Sequence, residues 1–91
     1  MPRPMKQPDV PENGELSPRL AFGQILRERR KALGLSQTDL EGEDIMDASY
    51  ISKLELGKSQ VCLDGFLYLA ERLGMKPSEL MKEVENKIKT S

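Results

Sequence analysis

From Leu16 to Ile88 the apolar residues recur at helical rather than strand spacing. Phe22, Leu26 and Leu33 share one face, with Ile25 beside them, and predict a helix over 18–33. Ser17 then Pro18 forms its start, an N-cap followed by proline at the first helical position. Gly34 forms its end. The polar face carries Arg27, Glu28, Arg29, Arg30 and Lys31, which puts cations at the C-terminal end, where the helix dipole favours them. A short helix over 37–43 follows, with Ser36 as N-cap, Asp39 three residues later and Leu40 as its apolar anchor. Asp47 caps a third helix, 48–56, with Ile51 and Leu54 inward and Gly57 closing it. A fourth, 63–73, carries Leu63, Phe66, Leu67, Leu69, Ala70 and Leu73, and Gly74 ends it. A fifth, 77–88, carries Leu80, Met81, Val84 and Ile88. The expected fold class is therefore all-α, five short helices in one compact domain over 16–89.

Residues 1–15 break this rhythm. Pro2, Pro4, Pro8 and Pro11 lie there, with Asn13-Gly14 and few aliphatic residues. Such a segment cannot bury enough surface to offset its ordering entropy and is expected to be a disordered tail. Arg3 and Lys6 fit a minor-groove arm less well than a plain tail.

Composition narrows the function. The 91 residues contain no His and one Cys, Cys62. That excludes His-based acid–base chemistry, a Cys–His pair, an intramolecular disulfide and a Cys/His zinc site within one chain. No phosphate-binding glycine loop is present. The chain is expected to be no enzyme and to need no cofactor or metal. No stretch approaches the roughly 20 apolar residues of a membrane span, and the start lacks a signal-peptide core, so a cytoplasmic location is expected. The net charge of −1 does not itself point to nucleic acid.

Residues 36–55 point there instead. They read Ser-Gln-x-x-Leu, ten residues, then Ile51-Ser52-x-Leu54-Glu55, with Gly57-Lys58 after. Leu26-Arg27-Glu28-x-Arg30-Lys31 precedes Gly34-Leu35-Ser36-Gln37. Leu69-Ala70-Glu71-x-Leu73-Gly74 and Pro77-x-Glu79-Leu80 follow. In register over residues 22–81, this pattern resembles the helix-turn-helix of the lambda-repressor-like family, also called the XRE or Cro/cI family. The resemblance implies a bacterial or phage transcriptional regulator that binds double-stranded DNA. It implies a homodimer on an inverted repeat, with helix 48–56 in the major groove.

Site residues follow by position. Ala48, Ser49, Ser52 and Lys53 match family positions that touch base edges. Gln37 and Lys58 match phosphate contacts. Tyr50 is placed either on the sugar-phosphate backbone or over the core edge. Arg30 and Glu55 match a partly buried structural ion pair. The apolar surface of Leu80, Met81, Val84 and Ile88 suggests the dimer interface. Cys62 falls where the family often caps with Ser or Thr, and is expected to be a small buried group.

The connector departs from the family pattern. Glu41 replaces the usual Ala, Asp44 a small residue and Ile45 a Gly that supports a positive-φ turn. Residues 39–47 carry Asp39, Glu41, Glu43, Asp44 and Asp47 and no base. These acids leave a second expectation beside the first: a protein-interaction module that kept the fold with weak or lost DNA binding, its partner meeting the acidic 39–47 segment.

Overall fold

The computed structural model describes residues 16–42 and 46–90. Among the described residues there are four α-helices, α1 (Pro18–Ala32), α2 (Ala48–Glu55), α3 (Leu63–Arg72) and α4 (Pro77–Thr90), and no strand. The Pro-rich tail and the Ile45 turn lie outside the described residues.

The expected helix over 37–43 does not form. In its place is a single 3₁₀ turn, Thr38–Leu40. Its entry has the reciprocal cap that the sequence suggested: the Ser36 N–H donates to Asp39 Oδ2 at 2.8 Å, and the Asp39 N–H to Ser36 Oγ at 3.1 Å. Its exit explains the short length. A continuing helix would direct amides four residues on to the carbonyls of Asp39, Leu40 and Glu41. Side chains of α3 take those carbonyls instead. Arg72 donates to the Asp39 oxygen at 2.6 Å, and the Tyr68 hydroxyl lies 3.0 Å from the Leu40 oxygen and 2.8 Å from that of Glu41. Glu41 is already extended, at ψ 147°.

Helices α1 and α2 start at the caps their sequence carries. Ser17 Oγ accepts from the Leu20 N–H on α1, and Asp47 Oδ1 from the Tyr50 N–H on α2. Cys62 corrects an expectation. It is exposed, and its Sγ accepts from the Gly65 N–H at 3.3 Å, so it caps α3 rather than filling the core. The sulfur is a weak acceptor, yet it is the group that meets that amide in the first turn. At the far ends, paired backbone bonds close α1, α2 and α3. For α2 the Gly57 N–H reaches the Leu54 oxygen and the Lys58 N–H the Lys53 oxygen, with Gly57 at φ +74°. That backbone conformation is what favours glycine there; an added methyl group would also press on the tip of the Leu20 side chain, 2.3 Å from Cδ2.

Every element supplies a fully buried side chain to one core: Leu26 from α1, Leu40 from the turn, Ile51 and Leu54 from α2, Leu69 from α3 and Leu80 from α4. Helix α1 is the hub, packed on both α2 and α4. Phe22 and Phe66 tilt against each other at 5.6 Å between ring centres, joining α1 to α3. Ion pairs Arg29–Glu83 and Glu28–Lys87 run across the outside of the α1–α4 seam. Where α1 crosses α2, Gly23 lets the backbones touch. A methyl group there would lie 2.3 Å from the Leu54 carbonyl oxygen and 2.8 Å from that of Glu55.

Three apolar expectations change. Leu33 is half exposed because it is the C-cap residue of α1, beyond the last core-facing turn. Leu63 and Leu67, one turn apart on α3, also face outward. Met46, a connector residue for which the sequence pattern set no expectation, is also buried, and its carbonyl accepts from the Gly42 N–H at 2.8 Å.

Candidate nucleic-acid interface

Helix α2 is short because Asp47 starts it and Gly57 stops it, and its two faces separate cleanly. Ile51, Leu54 and Glu55 are buried toward α1. At 100° per residue, Ala48, Ser49, Ser52 and Lys53 occupy an arc of roughly 140° on the other side. Ser49 and Lys53, on one side of this arc, are exposed, while Ala48 and Ser52, on the other, are half-buried. This arc is small in side-chain volume apart from Lys53, so the backbone of α2 can approach a surface closely.

Tyr50 sits on the far flank of Lys53, half-buried. Its hydroxyl donates to the Gln60 carbonyl at 2.7 Å, pinning α2 to the loop before α3. Burial, with a smaller contribution from nearby Cys62, pushes the phenol above its ordinary value. The hydroxyl is therefore a neutral donor already engaged within the chain. Lys58 is exposed just beyond the α2 terminus.

The Arg30–Glu55 pair anchors the buried face. Arg30 Nε donates to Glu55 Oε2 at 2.7 Å and Nη2 to Oε1 at 3.1 Å, a bidentate pair whose side chains are 9% and 1% exposed. The remaining guanidinium donor, Nη1, reaches the Leu35 carbonyl at 2.8 Å. These bonds to Glu55 hold the Arg30 guanidinium above its ordinary value, although burial works the other way. Gln37 joins the same cluster: its Nε2 donates to Glu55 Oε1 at 3.0 Å. Gln37 and Glu55 lie 18 positions apart in different segments, and nothing in their spacing indicated that they touch. Among the described residues no buried side-chain nitrogen or oxygen lacks a hydrogen bond.

The acids of the connector have work inside the fold. Glu41 Oε2 accepts from the Ala48 N–H at 3.0 Å, so with Asp47 it closes two of the free amides at the start of α2. Asp39 is engaged with Ser36 as described. Its carboxyl is held below its ordinary value, first by the Ser36 backbone N–H and then by the Ser36 hydroxyl. Glu41 gave no local signal in the sequence, since its partner lies seven residues on. Glu43 and Asp44 lie outside the described residues.

Of the residues expected at a dimer face, Leu80 and Val84 are buried in the chain's own core. Leu80 is the fully buried contribution of α4, so neither side chain is available to a second copy. Met81 is exposed and Ile88 half-buried against the core. Leu63, Leu67 and Met81 are the large apolar side chains that α3 and α4 leave outside.

Comparison with known proteins places this geometry. A family described as "Helix-turn-helix domain" matches residues 21–82. Control protein C.BamHI from Bacillus amyloliquefaciens is 36% identical over 64 residues, which cover 69% of this chain and 79% of that protein. Among solved structures, the restriction-modification controller protein C.AhdI from Aeromonas hydrophila superposes with a TM-score of 0.62 at 44% identity, covering 68% of this chain and 94% of that one. The clp gene regulator ClgR from Corynebacterium glutamicum gives a TM-score of 0.75 at 24% identity, over 82% of this chain and 80% of that one, a likeness of fold.

Proposed function

We propose, for a chain that belongs to the helix-turn-helix domain family and is of its lambda-repressor-like kind, a specific way of acting as a DNA-binding transcriptional regulator. It binds an inverted-repeat operator as a homodimer, with α2 of each copy in the major groove of a half-site about one helical turn from the other. The observation that carries this reading is the division of α2: its buried face is fixed by Ile51, Leu54 and the Arg30–Glu55 pair, which leaves Ala48, Ser49, Ser52 and Lys53 on one outward arc.

The chemistry of that arc suits base edges. Lys53 can donate to guanine O6 or N7, Ser49 and Ser52 can donate or accept, and the Ala48 methyl can meet a thymine methyl. Lys58 and Gln37 supply sequence-independent phosphate contacts. Glu41 and Asp47 accept from amides at the start of α2 and Asp39 from the Ser36 amide, which accounts for these three acids without a protein partner. They also lower the local positive potential. Non-specific binding is then weak, and recognition depends on directed contacts and on dimer spacing.

No helix among the described residues is long and apolar enough to cross a membrane. Two of the relatives are controller proteins of bacteria by name, and a controller role for this chain is part of the proposal.

The test is selection from randomised duplexes at low salt. A palindrome should be enriched, and its affinity should fall steeply with salt. Lys53→Ala should change the enriched sequence, whereas Lys58→Ala should weaken all sites alike. If no sequence is enriched, the fold serves another partner.

A further inference from the structure

We propose that Glu55 is the positioning residue for Gln37 at the DNA backbone, an inference that rests on the reading of α2 as the groove-entering helix. The Gln37 amide nitrogen carries two hydrogens. Glu55 Oε1 takes one of them at 3.0 Å, which fixes the plane of the amide and leaves the second hydrogen pointing in a set direction. An untethered glutamine loses rotamer freedom when it meets a phosphate; this one has lost it before contact. Gln37 is half-buried while the Glu55 side chain is 1% exposed, so the anchor is inside and the amide lies between core and surface.

A carboxylate close to a phosphate would ordinarily repel it. Arg30 removes that objection with two hydrogen bonds to the same carboxylate, at 2.7 and 3.1 Å. The third guanidinium bond, to the Leu35 carbonyl, ties the stretch just before Gln37 to the same cluster. Glu55 lies in the last turn of α2, and Gln37 immediately precedes the 3₁₀ turn. One oxygen thus sets the backbone contact in register with the helix that reads the bases. The sequence-independent contact and the base contacts become one rigid unit.

The experiment is a mutant cycle on the full chain, with a duplex enriched from a random library and a series of that duplex in which single phosphates are replaced by neutral methylphosphonates. Gln37→Met keeps the length and removes the amide. It should weaken binding roughly tenfold on every sequence, the scale of one hydrogen bond to a charged acceptor. Glu55→Gln should cost a similar factor alone and little more in the Gln37→Met background. One methylphosphonate position should weaken the wild type and leave both variants unaffected. A Glu55→Gln loss that persists undiminished in the Gln37→Met background overturns the proposal, because Glu55 then acts only through the fold. If Glu55→Gln fails to fold, the Gln37 side-chain amide of the wild type decides by NMR: one proton protected in the free chain and the other shifted by DNA supports the proposal, and two equally exposed protons sink it. A wild type that selects a palindrome while Gln37→Met binds equally well overturns this inference alone. A wild type that enriches no duplex overturns the function and this inference together.

Discussion

At Gly23 the backbone of α1 lies so near the last turn of α2 that a single carbon would strike two carbonyl oxygens. Backbone cannot rotate away as a side chain can. Gly23→Ala is therefore expected to cost at least the upper end of the about 1–3 kcal/mol typical of overpacking, despite the gain in helix propensity. Urea denaturation with a wild-type midpoint would refute the close approach. Cys62 offers the opposite case. Its sulfur performs the capping task with a poor acceptor, so Cys62→Ser is expected to stabilise the chain by about 0.5–1 kcal/mol, and Cys62→Ala to shift the melting midpoint the other way. If serine and alanine behave alike, the Gly65 amide is not being capped by residue 62. Both residues show why single positions are hard to read from sequence. The Gly23 requirement comes from a helix some thirty residues away, and Cys62 stands at a cap position for which the weak acceptor strength of sulfur argues against capping.

The elements were more legible than the residues, because helix ends are written locally. Ser17-Pro18, Asp47 and the glycines at 34, 57 and 74 each specify a start or stop within a few residues, and the helices begin and end beside them. The element that failed, 37–43, failed for a non-local reason. Its entry signal was real, but Tyr68 and Arg72 of α3 hold the carbonyls that a continuing helix would need. The candidate site divides the same way. The outward arc of α2 could be read from helical spacing, whereas the Glu55–Gln37 and Glu41–Ala48 bonds could not, since each joins separate segments. The surviving turn should have its own pH signature. Asp39 titrates below its ordinary value of 3.8 in the folded chain, so its contribution to stability is present above that value and is lost as pH falls through the folded pKa. Asp39→Asn removes this titration. The stability difference between wild type and variant is expected to shrink as pH drops below 3.8. A difference that stays constant from neutrality into acid would show that the carboxylate charge does not matter to the cap.

For the molecule as a whole, the partition of apolar side chains separates folding from assembly. Leu80 belongs to the core and Leu67 to the surface. Leu80→Ala is expected to cost about 2–5 kcal/mol. Leu67→Asp is expected to leave the melting curve of the isolated chain nearly unchanged and, if Leu67 lies in the face of the proposed homodimer, to shift sedimentation toward monomer and loosen binding to the proposed operator. A Leu67→Asp variant that still sediments as a dimer would move that face elsewhere. The near-zero net charge fits a molecule whose cations and anions are sorted by task. Arg29 and Glu28 hold α4 against α1, Arg30 and Glu55 hold α2, and Asp39, Glu41 and Asp47 close amides, while Lys53 stands on the outward arc and Lys58 beyond its end. The two faces of α2 therefore share no residue. What fastens the helix is Ile51, Leu54 and Glu55, and what it displays is Ala48, Ser49, Ser52 and Lys53. A library that randomises only those four codons should yield folded proteins far more often than one that randomises Ile51, Leu54 and Glu55, so the displayed arc can diverge between gene copies while the scaffold beneath it is inherited intact.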